Sequence, residues 1–550
     1  MLSKLDKTLV TQAQGKPQMA HTSRYLILSS EPLHRHVSLS EAERAVRKVV
    51  RAQLENTPPR LLNTATGCLC DQEAQISAFK TTTEYMELLS SIIEHADLGI
   101  EGVVATYFRY AMLSHRWSGK EPLLQEVQGK VVYELDSSGG VMKLQSFCKT
   151  ARDIGYHWAW SDTCCIDKNN NHEVQASVNA MFVWYRHSAL TIIYLSDVIP
   201  TSEAGALASS AWTRRGWTVQ EFLAPKTVLF YQEDWTLYLD DRSPNHKESG
   251  IIMQELADAT GIDARAFVTF CPGMKDAREK LQWASMRVTT VQEGMAYSLF
   301  GIFGIHLPVM YGETKQNALG RLLQEIVARS GDISALDWVG KSSDFNSCLP
   351  ADISSYKALP STLSSLSEDQ IQTSISSLRK VVSVDLASKL YNSLENMTAP
   401  RFANCRLQLP CLVFRVANVR ESWDDRHQKF TYHVKANGLN DLSIITEDKL
   451  PAWRTLLLVY PWNHDLLEQL NPADDTQTMG DYTIPSFVGP VDSESHLRLM
   501  IRLGQPFRAF LLVQGRRGEY KRFATDHDII SQVRDITSFP TVDVRVVEIL

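Results

Sequence analysis

Residues 211–225 read AWTRRGWTVQEFLAP and place one carboxylate, Glu221, four positions after Trp217 and just behind two cations, Arg214 and Arg215. If Thr213 or Gly216 opens a helix, Trp217 and Glu221 stand one turn apart on one face. An acid held against an aromatic wall has its ionisation disturbed, because its charged form loses water. Groups of that kind concentrate at functional sites. The competing assignment is structural, with both tryptophans in a core and the glutamate in a surface pair with an arginine.

Other reactive groups follow short apolar runs. Ser114, His115 and Arg116 come at the end of YAMLS, Asp162 and Asp167 come after HWAW, and Asp197 comes after LTIIYL. Cys164 and Cys165 with His157 or His115 could form a thiol nucleophile and its base, although a cysteine after a strand more often packs. Asp162 and Asp167 carry the oxygen chemistry of a divalent-cation site, while Asp167 also suits a loop held by side-chain-to-backbone bonds. Cys68 and Cys70 lack a second pair for zinc, so no metal site is expected. The phosphate-loop, dinucleotide-fingerprint and HExxH patterns are absent.

The elements that must position these groups alternate. Strand-like runs at 110–114, 157–160, 190–198 and 227–231 are separated by helical periodicity at 141–154, at 174–185 and around Trp217. That alternation predicts parallel βαβ units, and ligands then sit beyond the carboxyl ends of the strands. Upstream, Ser38 and Ser40 each precede a glutamate by three positions, a helix-start signal, and residues 82–95 read as a helix. Downstream, 250–259, 295–303 and 317–328 read as helices. After Pro400 come RLQLPCLVFRV, KFTYHVKA, WRTLLLVY, LRLMIRL, FRAFLLVQG and VDVRVVEIL, short runs that predict an antiparallel sandwich or barrel.

The expected fold class is therefore an α/β parallel-sheet domain with a helical extension, followed by a β-rich C-terminal domain. The divisions expected are an N-terminal arm and helix at 1–59 and the α/β domain at 60–235. A helical extension at 236–350, a Ser-rich connection at 351–399 and the β-rich domain at 400–550 follow. The net charge of −7 lacks the basic footprint of a nucleic-acid binder. Nine scattered cysteines imply reduced thiols and a cytoplasmic setting rather than a disulfide framework. The apolar runs are strand-sized, so no membrane span is expected.

Three blocks in order, YAMLSHRWSGKE at 110–121, WAWSDTCCIDKNNNHEVQASVNAMFVWYR at 158–186 and AWTRRGWTVQEFLAP at 211–225, together resemble the fungal heterokaryon-incompatibility (HET) domain. RLLNTATG at 60–67, the segment 286–313 and the segment 336–353 extend the likeness over residues 60–350, and more weakly to about 415. The resemblance implies self/non-self recognition between fungal cells, a form of fungal innate immunity that ends in programmed cell death. It also implies signalling through protein partners or self-association. LTIIYLSDV and the W-T-x-Q-E segment are more distantly similar to Toll/interleukin-1 receptor (TIR) domains, which implies a TIR-like, flavodoxin-like sheet. Trp217 then matches the TIR tryptophan and Glu221 the glutamate used in NAD cleavage. Thr218 stands where many TIR domains have cysteine, and the stretch between Asp197 and Trp217 is longer than usual there.

On that resemblance NAD is a candidate substrate, and no cofactor is required. Glu221 would hold the ribose hydroxyls and stabilise an oxocarbenium-like transition state. Trp117 would stack on nicotinamide, and Arg116, Arg214 or Arg215 would meet the diphosphate. Ser114 and Trp217 complete the rim. Two readings stay open: an effector that cleaves NAD when clustered, and a non-catalytic interaction or scaffold module in the same signalling process.

Overall fold

The computed structural model describes residues 37–95, 99–136, 138–359, 363, 366–451, 455–468, 493–515 and 518–550. The expected arm at 1–23 and a short strand expected at 25–28 lie outside these residues.

Among the described residues, a six-stranded sheet organises the first half. Its strands are β1 (Arg60–Asn63), β2 (Leu69–Asp71), β3 (Tyr110–His115), β4 (Trp158–Trp160), β5 (Leu190–Tyr194) and β6 (Val228–Tyr231), in the order β2-β1-β4-β3-β5-β6. The strands β4, β3, β5 and β6 are parallel, as the βαβ alternation predicts. The remaining edge adds two strands that the alternation did not predict, with β1 antiparallel to β4 and β2 antiparallel to β1. Only a tight turn joins β1 to β2, and a parallel partner would need a long crossover. That turn closes when the Asn63 side chain accepts from the backbone N–H groups of Ala65 and Thr66.

All six residues of β3 are buried, which fits a central strand covered on both faces. The helices Gly139–Asp153, Asn171–His187 and Thr218–Leu223 follow β3, β4 and β5. Upstream, the Leu39–Leu54 helix opens at Ser38 with a complete capping box to Glu41.

The extension contains Gly250–Thr260, Ala277–Ala284 and Lys315–Ser330. The helix expected over 295–303 is two short ones, Gly294–Tyr297 and Phe300–Phe303. Gly301 sits where an added Cβ would lie 2.2 Å from Phe182 Cβ, so only glycine lets this segment meet the Asn171–His187 helix.

The serine-rich stretch holds more regular structure than a linker. Ser367 and Ser383 cap the helices Glu368–Leu378 and Val384–Glu395, which bury Ile371, Ile375, Leu390 and Leu394. The run LRLMIRL is also a correction, since it lies in the helix Ser493–Leu503 rather than in a strand. Its five apolar residues satisfy either period, and packing beside the two preceding helices decides the outcome.

Among the described residues, the C-terminal half is organised by an eight-stranded, mainly antiparallel sheet built around the long strand Arg406–Asp424. Asp543–Ile549 pairs with that strand and with Tyr520–Phe523, so the hydrogen-bonding path closes on itself. Alternate residues serve two cores. Cys411 and Val413 join the α/β core, whereas Leu412 and Phe414 join the helices at 368–395 and 493–503. Arg522 ties the halves together by donating to Leu336 O at 2.7 Å and Trp338 O at 3.0 Å while standing over the Trp338 ring. Among the described residues, no helix is long and apolar enough to cross a membrane.

Candidate functional site

Glu221 lies on the short helix after β5, and its backbone N–H donates to Trp217 O at 3.3 Å, one turn apart as the spacing requires. Only 8% of the residue is exposed. The Trp212 indole N–H donates to Ser114 Oγ at 2.8 Å, and the Ser114 hydroxyl donates to Glu221 Oε2 at 2.5 Å. A polar chain therefore runs from the tryptophan through the end of β3 to the carboxylate. Burial pushes the Glu221 carboxyl up to about 7, against the pull of Arg215 and the Ser114 hydrogen bond, while Asp162 adds to the rise.

The segment bearing Glu221 is pinned from the extension. Gly216 N–H donates to Val288 O and Val288 N–H to Arg214 O, both at 2.8 Å. The buried Arg287 donates to Arg215 O at 3.0 Å and to Thr218 Oγ1 at 2.9 Å. Its burial lowers Arg287 to about 10, which leaves it charged at neutral pH.

The loop after β3 carries Trp117. A buried Glu121–Lys143 ion pair holds the loop, aided by Ser118 N–H donating to Glu121 at 2.9 Å and Lys143 donating to Arg116 O at 3.3 Å. Gly140 permits the approach, because a Cβ there would fall 2.3 Å from Lys120 O. The Trp117 indole N–H, on a residue 39% exposed, reaches Asp162 Oδ2 at 3.0 Å. His115 Nε2 lies 3.2 Å from Asp162 Oδ1. Burial works against the Asp162 carboxylate, but His115, Lys168 and Arg215 overcome it and hold its pKa well below the usual range. Burial shifts His115 toward its neutral form.

These groups line one cavity of about 310 Å³ beyond the carboxyl ends of β3, β4 and β5. Trp117, Asp162, Lys168, Arg215, Trp217 and Glu221 supply its polar and aromatic wall. Val174, Val178 and Met181 supply an apolar wall from the Asn171–His187 helix, and Thr290, Val291 and Tyr311 arrive from the extension. The structure thus brings Trp117, Arg215, Trp217 and Glu221 together, with Ser114 bonded to the carboxylate. Arg116 and Arg214 are exposed and outside the lining. Sequence reasoning missed Lys168, although it stands in the same loop as Asp162, and missed Tyr311, which is distant in sequence from the strand ends.

The other candidate chemistries are not assembled. Cys164 and Cys165 are buried. A hydrogen bond from Cys165 and then burial raise the Cys164 thiol well above its ordinary value. His157 stacks on Tyr107 with ring centroids 5.0 Å apart. Asp167 shapes its loop, accepting from Gln125 Nε2 and Asn169 N–H at 3.0 Å. Among the described residues, no group of three or more His, Cys, Asp or Glu side chains could hold a metal ion.

Residues 110–206, from β3 to the loop after β5, match the family described as heterokaryon incompatibility protein (HET). This segment is similar to a HET domain. The vegetative incompatibility protein HET-E-1 of Podospora anserina is 36% identical to the chain over 241 residues. The match covers 41% of this chain and 17% of that protein's length. No solved structure matches the chain. The matched HET segment contains Ser114, Trp117, Asp162 and Lys168 but stops short of Arg215, Trp217 and Glu221. The cavity is therefore shared between the HET segment, the helix after it and the extension.

Proposed function

We propose that the chain acts in fungal heterokaryon incompatibility and that its cavity cleaves NAD as the step leading to regulated cell death. The HET segment and the vegetative-incompatibility relative support the broader role. The observation that carries the chemistry is Glu221, a nearly buried carboxylate on a cavity floor whose pKa is raised to about 7. Such a group exists in both protonation states at neutral pH, and an entering pyridinium favours the ionised one. The order β4-β3-β5-β6, which puts the second parallel strand on one side of the first and the next two on the other, supports a TIR-like, flavodoxin-like sheet.

The cavity is at the small end of ligand sites and suits one end of a dinucleotide. The nicotinamide-ribosyl end enters toward Glu221. The bond between ribose C1′ and the pyridinium nitrogen breaks, with its electron pair leaving on neutral nicotinamide. The Glu221 carboxylate stabilises the positive charge that develops on the ribose. Water adds at C1′ and loses a proton, so NAD⁺ and water give ADP-ribose, nicotinamide and H⁺.

A second reading, a non-catalytic interaction module, draws on exposed apolar side chains beside the mouth, Val288, Met310 and Tyr311. NAD consumption by concentrated or artificially clustered protein separates the two readings. Wild type is compared with Glu221→Gln, and circular dichroism and melting confirm the variant's fold. Loss of NAD with wild type alone supports the enzyme. No loss with either protein, once clustering is verified, leaves the interaction module.

A further inference from the structure

Two cations in the cavity wall, Lys168 and Arg215, act on Asp162 through space without a direct ion pair among the described residues. Lys168 Nζ stands 5.2 Å from the centre of the Trp117 ring, and the Arg215 guanidinium carbon stands 5.7 Å from it. Among the described residues, no carboxylate oxygen lies within salt-bridge reach of either cation, although both line the same cavity as Asp162 and Glu221. Asp162 is already committed to the Trp117 indole and to His115. Glu221 is bonded to Ser114 and drawn toward its neutral form. Lys168 is pulled below its usual range by burial and feels Arg215 as a like charge, with Asp162 opposing. Two positive charges thus line one cavity with Asp162, whose ionised form both of them favour. The 17-residue helix Asn171–His187 starts beside them, and Asn171 itself lines the cavity, so the positive end of the helix dipole adds to the same field.

The chemistry that answers this arrangement is a polyanion with more than one acceptor oxygen. Arg215 offers a planar fork and Lys168 a compact point charge, a combination suited to phosphate oxygens. The aromatic faces of Trp117, Trp217 and Tyr311 in the same lining offer stacking surfaces for a base.

We propose that Lys168 and Arg215 form a clamp for the pyrophosphate of a nucleotide ligand at the Trp117 mouth of the cavity. This rests on the reading of the cavity as a ligand site but not on bond cleavage within it. It also replaces Arg116 and Arg214, whose exposed side chains lie outside the lining. The ligand enters with its phosphates held at the mouth and its sugar directed toward Glu221.

The test is calorimetric titration of the full chain with ADP-ribose, alone and in competition with inorganic pyrophosphate. Wild type binds ADP-ribose, and its affinity falls as salt rises. Lys168→Gln and Arg215→Gln each weaken binding by about tenfold or more, the loss expected for one charge-assisted contact. Lys168→Arg keeps most of the affinity, while Arg116→Gln and Arg214→Gln bind as wild type does. Displacement by pyrophosphate shows that the phosphates alone are read; failure of pyrophosphate to compete shows that the nucleoside is needed as well, and the clamp then stands on the Lys168 and Arg215 losses. Melting curves check each variant, and if Lys168→Gln does not fold, Arg215→Gln and the salt dependence decide. Unchanged affinity in folded Lys168→Gln and Arg215→Gln overturns the clamp, as does absence of ADP-ribose binding to wild type. NAD turnover is scored separately. A clamp without turnover refutes only the cleavage reading, and turnover with an unchanged KM in Lys168→Gln refutes only the clamp.

Discussion

Replacing Glu221 by glutamine removes a charge but keeps an oxygen for the Ser114 hydroxyl to bond. The folded carboxyl titrates at about 7 against an ordinary 4.5. At roughly 1.4 kcal/mol per unit, that difference is worth about 3 kcal/mol. The sign follows from proton affinity. The folded state holds this proton more tightly than the unfolded chain, so the contribution is complete below about 4.5 and is lost as pH rises through about 7. The wild type should therefore approach the variant in stability near pH 5 and fall behind it by up to about 3 kcal/mol near pH 8.5. Lys247 works in the opposite sense. It is buried with its ammonium on Pro225 O and Phe267 O, and burial lowers it to about 7, so its contribution is lost as pH falls through that value. Both proteins carry Lys247, so the difference between them isolates Glu221. Urea unfolding followed by the fluorescence of buried Trp158, Trp160, Trp184 and Trp212 measures that difference at each pH. A gap that stays constant between about pH 5 and pH 8.5 would refute the argument that burial sets the state of Glu221.

Ser114→Ala removes the acceptor of the Trp212 indole and the donor to Glu221, which should cost about 2–4 kcal/mol on melting and raise the Glu221 titration further. Gly301→Ala drives a Cβ into Phe182 and should destabilise the chain by about 1–3 kcal/mol or more, read from the urea midpoint. A fragment of residues 110–235 loses the Arg287 and Val288 bonds to the Glu221 segment and should lack a cooperative melt by circular dichroism. Under native conditions a thiol reagent should modify exposed Cys271 and Cys405 fastest, while buried Cys148, Cys164, Cys165, Cys348 and Cys411 react only on unfolding.

The parallel strands were legible because a strand covered on both faces is a short unbroken apolar run, as in YAMLS and LTIIYL. The Ser38 cap was legible because its bonds lie within four residues. The register of Trp217 and Glu221 followed from helical spacing alone. The antiparallel β1–β2 edge was not, since two strands of four and three residues carry little periodic signal. LRLMIRL deceived because its alternation is also compatible with a helix whose neighbours bury most of it. The cavity was half visible. Residues placed by strand ends could be named, but which arginine turns inward depends on the bridge between Arg215 and Val288, a contact across more than seventy residues. The same distance hid Thr290, Val291 and Tyr311.

That distance also sets a timetable. Translation proceeds at about 5–20 residues per second, and ninety residues separate Glu221 from Tyr311. A ribosome that has just added the carboxylate needs about 5–18 seconds more to add the last wall of its cavity. For most of that interval Arg287 and Val288 have yet to be made, and Tyr311 is missing until its end. The pocket is therefore a late product of synthesis, and a chain cut short by premature termination would carry its acid without the enclosure that tunes it.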